Sequence, residues 1–133
     1  MAKKIRVLIA KLGLDTHTIG ITVVAQALRD AGMEVVFSGL KQTPEMVVQT
    51  AIQEAVDVVG LSSLSGAHMR HFPRVVELLR EKGVGDKLVI GGGVIPDDDV
   101  AELKRLGFAE IFTMGTETGA ICRYLSDWWA GQS

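Results

Sequence analysis

The feature that most constrains the fold is an alternation of five short aliphatic runs with amphipathic helical segments along the chain. The runs are rich in β-branched and aliphatic residues, as buried strands are. They comprise residues 5–10, 34–37, 57–61, 87–90 and 109–113. Strict alternation of strands and helices is typical of a parallel sheet covered by helices on both faces. We therefore expect an α/β fold, a doubly wound, flavodoxin-like five-stranded parallel sheet in the order 2-1-3-4-5.

The helical segments carry recognisable start and stop signals. Thr43 and Pro44 suit the N-cap and first turn of the second helix, and Gly32 suits the end of the first because glycine tolerates a left-handed conformation. The inner face predicted for the second helix consists of Val48, Ala51, Ile52 and Ala55. The buried face predicted for the third helix consists of Phe72, Val75, Val76 and Leu79, spaced i, i+3, i+4 and i+7.

Size and charge narrow the classes of function. The 133 residues suit a single domain spanning residues 1–133. With 14 Lys and Arg against 16 Asp and Glu, we expect neither nucleic acid nor a membrane surface as a partner. No apolar run approaches the roughly 20 residues that span a bilayer, so the expectation is a cytoplasmic protein. The single cysteine, Cys122, lies in a helical pattern and is interpreted as a small buried hydrophobic residue.

The unusual residue clusters all fall where strands one, three, four and five end. They are residues 15–20, 62–66, 91–93 and 113–116. In a doubly wound sheet the carboxyl ends of the strands share one edge, where ligands bind near the switch point between strands one and three. We therefore expect these clusters to lie together.

The first cluster places Asp15 and His17 in one short loop. A neutral imidazole is a good ligand for a transition metal, and a carboxylate on its other nitrogen fixes the tautomer. The alternative is an exposed histidine without a role. A zinc site from His17, His68 and His71 is less favoured, because structural zinc takes four ligands and His68 and His71 suit polar positions near the start of the third helix.

The other clusters consist of small residues. Ser62 to Gly66 can hold a polar ligand through hydroxyls and backbone amides, or form an ordinary turn. Gly91 to Gly93 permit close approach of a bulky group, or a tight turn from strand to helix. Taken together, they predict a trough with small residues along its floor, suited to a long, flat ligand between sheet and helix.

Three common occupants of such folds are excluded on residues. A phosphoreceiver needs a phosphoacceptor Asp at the end of strand three, whereas Asp57 stands at its beginning. A flavin mononucleotide site needs aromatic shields, and the aromatic residues lie largely outside the candidate loops. A dinucleotide fold needs Gly-x-Gly-x-x-Gly after strand one, which is absent.

Three motifs at matched strand ends carry a resemblance over nearly the whole chain. They are Asp15-x-His17-x-x-Gly20, Ser62-x-Leu64 and Gly91-Gly92. The chain resembles the free-standing cobalamin-binding small subunit of adenosylcobalamin-dependent acyl-CoA mutases, of the methylmalonyl-CoA, isobutyryl-CoA and 2-hydroxyisobutyryl-CoA mutase family. It departs from the commoner loop, Gly-Leu-Asp-Gly-His-Asp-Arg-Gly, at Thr16, Thr18 and Ile19.

The resemblance implies that adenosylcobalamin binds with His17 as the lower axial ligand of cobalt, with Asp15 hydrogen-bonded behind it and Lys11 supporting the pair. It implies that the displaced nucleotide tail lies in the trough, passing Gly20, Ser62, Leu64, Gly91, Gly92, Gly115 and Thr116. It also implies a hetero-oligomer with a larger barrel subunit that holds the acyl-CoA, so that this chain carries no catalytic residue beyond cofactor ligation. The alternative is a corrinoid carrier or sensor that binds cobalamin without mutase activity.

Overall fold

The protein is described by a computed structural model, which covers residues 4–12, 19–39, 41–63, 68–113 and 116–132. Five strands alternate with five helices in chain order. The strands are β1 (Arg6–Lys11), β2 (Glu34–Phe37), β3 (Val58–Ser63), β4 (Leu88–Gly93) and β5 (Glu110–Thr113). The helices are α1 (Ile19–Asp30), α2 (Pro44–Gln53), α3 (His68–Glu81), α4 (Asp97–Leu106) and α5 (Thr118–Ala130).

The strands form one parallel sheet in the order β2-β1-β3-β4-β5, which confirms the predicted topology. β3 is central and nearly all of it is buried, as its continuous apolar sequence predicts. Near the carboxyl edge the register aligns Lys11 with Ser62, Ser62 with Gly92, and Gly92 with Phe112. Because paired residues in a sheet face the same side, these four residues form one row across it.

Helices cover both faces of the sheet. One core cluster joins Leu8, Val59 and Val89 of the strands to residues of α2, α3 and α4. The other joins Val7 and Val58 to residues of α1 and α5. We call these the α2–α4 face and the α1/α5 face. Within the described residues, no helix has the length and apolarity needed to cross a membrane.

The buried face of α2 differs from the prediction. Pro44, Val47, Val48 and Ala51 are buried, whereas Ile52 is 41% exposed and Ala55 is exposed. The helix ends at Gln53, and Ala55 lies beyond it with a φ of 50°. The buried stripe therefore follows i, i+3, i+4 and i+7 from Pro44. The predicted stripe has the same spacing but starts about one helical turn later, at Val48, and so includes Ile52 and Ala55.

Other local predictions hold, with two changes. Thr43 caps α2, accepting a hydrogen bond from the Met46 N–H at 3.2 Å, and Gly32 follows α1 with a φ of 90°. The first change is that Gly91 to Gly93 belong to β4 and do not form a turn after it. The second is that Cys122 is only half-buried, packed at the edge of the α1/α5 core.

Candidate functional site

A cleft of about 420 Å³ lies between the α1/α5 face of the sheet and the two helices that cover it. It extends from Lys11 and Ser62 at the carboxyl edge to Val7 and Leu28 deeper in the domain. The α1 wall includes Val23, which is 53% exposed, so the cleft opens to solvent there. This volume is within the range of small-molecule and cofactor pockets.

Near the carboxyl edge, the floor of the cleft lacks large side chains on β3 and β4. Gly60, Ser62 and Gly92 occupy the cleft-facing positions near the ends of β3 and β4. An added Cβ at Gly92 would meet the Phe112 carbonyl oxygen at 3.2 Å and no other atom within 4 Å. The missing side chains therefore leave room for a ligand to lie close to the sheet backbone.

Gly91 contributes to the cleft, but the position of its missing side chain faces the other way. A Cβ there would lie 3.0 Å from Phe72 Cε2 and 3.0 Å from Ile111 Cδ1, both in the α2–α4 core. Glycine at this position is thus favoured by packing on the opposite face. The expectation that Gly91 is small to avoid a ligand is wrong in its reason, because adjacent strand residues point to opposite sides.

Gly93 ends β4 under a different constraint. Its φ is 127°, and a Cβ would overlap the backbone carbonyl of Ser63. Only glycine fits this position, where β3 and β4 end side by side. The three glycines thus differ in role: Gly92 leaves space in the cleft, Gly91 leaves space for the core on the opposite face, and Gly93 adopts a backbone conformation that other residues rarely adopt.

Lys11 lies at the carboxyl end of the cleft and is 1% exposed. Its carbonyl accepts a hydrogen bond from the Gln42 N–H at 3.0 Å, and the next residue, Leu12, donates its N–H to the Ser62 carbonyl at 3.3 Å. Lys11 is the only titratable residue among the described residues that line the cleft. The cleft is therefore suited to holding a largely apolar ligand, since it offers no set of groups for acid–base chemistry.

Thr116 lies beside the start of α5 and also lines the cleft. Its Oγ1 donates to the Thr113 carbonyl at 2.8 Å, which holds Thr116 against the end of β5. The predicted site residues Lys11, Ser62, Gly92 and Thr116 are thus brought together around one cavity.

Four predicted site residues lie outside the described residues, namely Asp15, His17, Leu64 and Gly115. Gly20 is placed in α1 by its backbone. Among the described residues that flank segment 13–18 in sequence, Lys11 and Ile21 both line the cleft.

The zinc alternative finds no support in the described part of the chain. There, no three His, Cys, Asp or Glu side chains are grouped so that they could hold a metal ion. His68 instead contacts Asp99, with Nε2 2.8 Å from Oδ2.

The described groups whose pKa differs from its ordinary value do not line the cleft. Tyr124 is an example, since burial raises the pKa of its hydroxyl.

Sequence reasoning missed several residues of the cleft. Gly60 is the most informative of them, because a glycine inside a buried apolar strand signals a close approach from one face. Val24 and Leu28 supply apolar wall from α1, and a spacing of four residues on a helix does not by itself indicate a cavity beside them.

Comparison with known proteins assigns the chain to a group. A family described as the B12 binding domain matches residues 5–123. The 2-hydroxyisobutanoyl-CoA mutase small subunit of Aquincola tertiaricarbonis is 56% identical over 117 residues, which cover 88% of this chain and 86% of that protein.

Two further similarities differ in extent. Methylmalonyl-CoA mutase of Cereibacter sphaeroides is 43% identical over 122 residues, covering 92% of this chain but only 17% of that longer protein. A solved structure of a cobalamin-binding protein from Desulfitobacterium hafniense DCB-2 superposes with a TM-score of 0.82 at 22% identity. That superposition covers 95% of this chain and 60% of the other, and it establishes a shared fold.

Proposed function

The chain belongs to the B12-binding domain family, and from this premise we propose that it carries adenosylcobalamin as the small subunit of an acyl-CoA mutase. The observation that carries the proposal is the cleft between the sheet and helices α1 and α5. Its position at the carboxyl edge of a doubly wound sheet is where such folds bind ligands.

The residues of the cleft fit the nucleotide tail of the cofactor. The tail ends in a flat aromatic base, which favours apolar walls, and Ile9, Ile90 and Ile121 supply them. Gly60 and Gly92 leave the floor open, and the half-buried Ser62 offers a hydroxyl there. A few polar groups in a mainly apolar pocket orient a ligand without excluding it.

We assign His17 as the lower axial ligand of cobalt, with Asp15 accepting a hydrogen bond from its other ring nitrogen. The support is the motif Asp15-x-His17-x-x-Gly20 together with the described residues on either side of segment 13–18, which line the cleft. A carboxylate behind a metal-bound imidazole fixes its tautomer and raises its basicity. The buried Lys11 stands at the end of β1 that leads into this segment and supports the pair.

Turnover requires a second protein component. The cofactor, when bound, supplies the radical chemistry through homolysis of its cobalt–carbon bond. The cleft lining described here contains one titratable residue, Lys11, and no acid–base pair, so substrate binding is assigned to a larger barrel subunit. Similarity to a mutase small subunit over 86% of its length favours this function over a corrinoid carrier or sensor.

Reconstitution tests the proposal. The chain is mixed with adenosylcobalamin, a large acyl-CoA mutase subunit and a panel of acyl-CoA thioesters, and products are identified by mass spectrometry. We expect isomerised product only when all components are present, loss of product with His17→Ala, and retention with the control His71→Ala. Tight cobalamin binding without isomerisation of any thioester would favour the carrier alternative.

A further inference from the structure

A partly buried histidine–aspartate pair links two helices at the carboxyl edge of the sheet. His68 is the first residue of α3 and Asp99 is the third residue of α4. Nε2 of His68 lies 2.8 Å from Oδ2 of Asp99, and the two side chains are 5% and 33% exposed. The residues are 31 positions apart in sequence, so the contact joins separate units of the fold.

The pair spans the connections that follow the two central strands. β3 ends at Ser63 and β4 at Gly93, and these two residues are in register. α3 begins at His68 and α4 at Asp97, so the connections are the segments 64–67 and 94–96. A bond between His68 and Asp99 therefore fixes the start of α3 relative to the start of α4.

The chemistry of the pair favours a neutral imidazole that donates to a charged carboxylate. His68 Nδ1 is buried and has no hydrogen-bond partner among the residues that the structure describes. An N–H there would be a buried donor without an acceptor, which is costly, whereas an unprotonated nitrogen with an unused lone pair costs less. Asp99 lies in the first turn of α4, where the helix dipole favours negative charge. Nε2–H to Oδ2 is thus a charge-assisted hydrogen bond.

Packing alone does not explain a histidine at this position. His68 contacts the ring of Phe72 edge-on, with ring centroids 6.2 Å apart, inside the α2–α4 side of the fold. An aliphatic side chain would fill this space without burying a polar ring nitrogen. What only a donor at residue 68 provides is the directional bond to Asp99.

We propose that His68 and Asp99 are positioning residues for cofactor binding, which fix the start of α3 relative to the start of α4 behind the ends of β3 and β4. Those strand ends carry Ser62 and Gly92, which line the cleft of the proposed cobalamin site. This inference rests on the proposed function. Neither residue lines the cleft, so their effect on binding is transmitted through the helix start.

The test measures affinity for adenosylcobalamin and stability in parallel on the full chain. His68→Leu and Asp99→Ala remove the bond, and each is expected to weaken binding about tenfold. His68→Gln keeps a donor at a similar reach and Asp99→Asn keeps an acceptor, so both are expected to bind within about threefold of wild type. His71→Leu, on the same helix and half-buried, is the matched control and should leave the affinity unchanged.

A second measurement separates positioning from stability. Amide exchange of peptides covering the ends of β3 and β4 should show added protection on cobalamin binding in the wild-type chain and less added protection in Asp99→Ala. Because Asp99 is partly exposed, its truncation leaves the core filled and provides the test even if His68→Leu does not fold.

The outcomes are distinguishable. Wild-type affinity in both His68→Leu and Asp99→Ala would overturn this inference and leave the proposed function standing. Equal losses in His68→Gln and His68→Leu, with lowered melting temperatures, would assign the residue to packing and overturn it as well. Failure of the wild-type chain to bind cobalamin would overturn the proposed function and this inference with it.

Discussion

Gly91 and Gly92 are adjacent in β4 and allow the two faces of the sheet to be perturbed separately. Gly92→Leu places a side chain over the floor of the cleft, where an added Cβ meets only the Phe112 carbonyl oxygen. Gly91→Ala places a methyl group against Phe72 and Ile111 in the opposite core. We expect the first substitution to weaken ligand binding and the second to lower stability.

The magnitudes follow from the two environments. Burying an aromatic group of 150–250 Å² is worth about 4–6 kcal/mol at roughly 25 cal/mol per Å². Losing half of that burial in Gly92→Leu weakens cobalamin binding by roughly 30- to 160-fold. For Gly91→Ala, overpacking costs about 1–3 kcal/mol, and the lower entropy of the unfolded chain returns about 0.4–1 kcal/mol. The net loss is about 1–2 kcal/mol.

Two assays on each variant check the assignment. Urea denaturation gives the free energy of unfolding, and titration with adenosylcobalamin gives the dissociation constant at a temperature where both variants are folded. Wild-type affinity in Gly92→Leu would refute the assignment of the tail to this cleft. A greater loss of affinity in Gly91→Ala than in Gly92→Leu would refute the assignment of the two faces.

Three further predictions concern the scaffold. Thr43→Ala removes the cap bond to the Met46 N–H and should cost about 1 kcal/mol in urea denaturation, whereas Thr43→Ser should retain most of it. A hydrogen bond from Lys104 lowers the pKa of Glu110, so the pair stabilises the fold above the ordinary pKa of Glu and the benefit disappears as pH falls through the lowered one. Glu110→Gln should therefore lose at most about 1 kcal/mol at pH 7, and the loss measured by thermal unfolding should shrink as the pH falls through the lowered pKa; a loss that does not change with pH would contradict the pairing. Burial raises the pKa of the Cys122 thiol, so iodoacetamide should label it more slowly in the native than in the unfolded chain at pH 8, as followed by mass spectrometry.

The topology was predictable because each element has a short-range signal. Strand order follows from the alternation of aliphatic runs and helices, since crossover handedness leaves few arrangements. Element ends were less predictable, and α2 illustrates why. The sequence offers two overlapping apolar stripes there, and the early end at Gln53 selects the one that starts at Pro44.

The site was predictable in its location and less so in the role of each glycine. Clusters after the strands indicate one sheet edge, and Lys11, Ser62, Gly92 and Thr116 do meet around one cleft. Which side of the sheet Gly91 and Gly92 face depends on the exact end of β4, and a prediction of a turn there conceals the alternation. The pairing of His68 with Asp99 joins distant segments and has no local signal.

The central claim is that a protein imidazole, from His17, binds the cobalt of cobalamin. Electron paramagnetic resonance of the Co(II) form, with histidine nitrogen isotopically labelled, tests it directly because the axial ligand's nuclear spin splits the signal. We predict a hyperfine pattern that changes with the label in the wild-type chain and in His71→Ala, and a pattern without the protein nitrogen in His17→Ala. A pattern that is unaffected by the label in the wild-type chain would contradict the account.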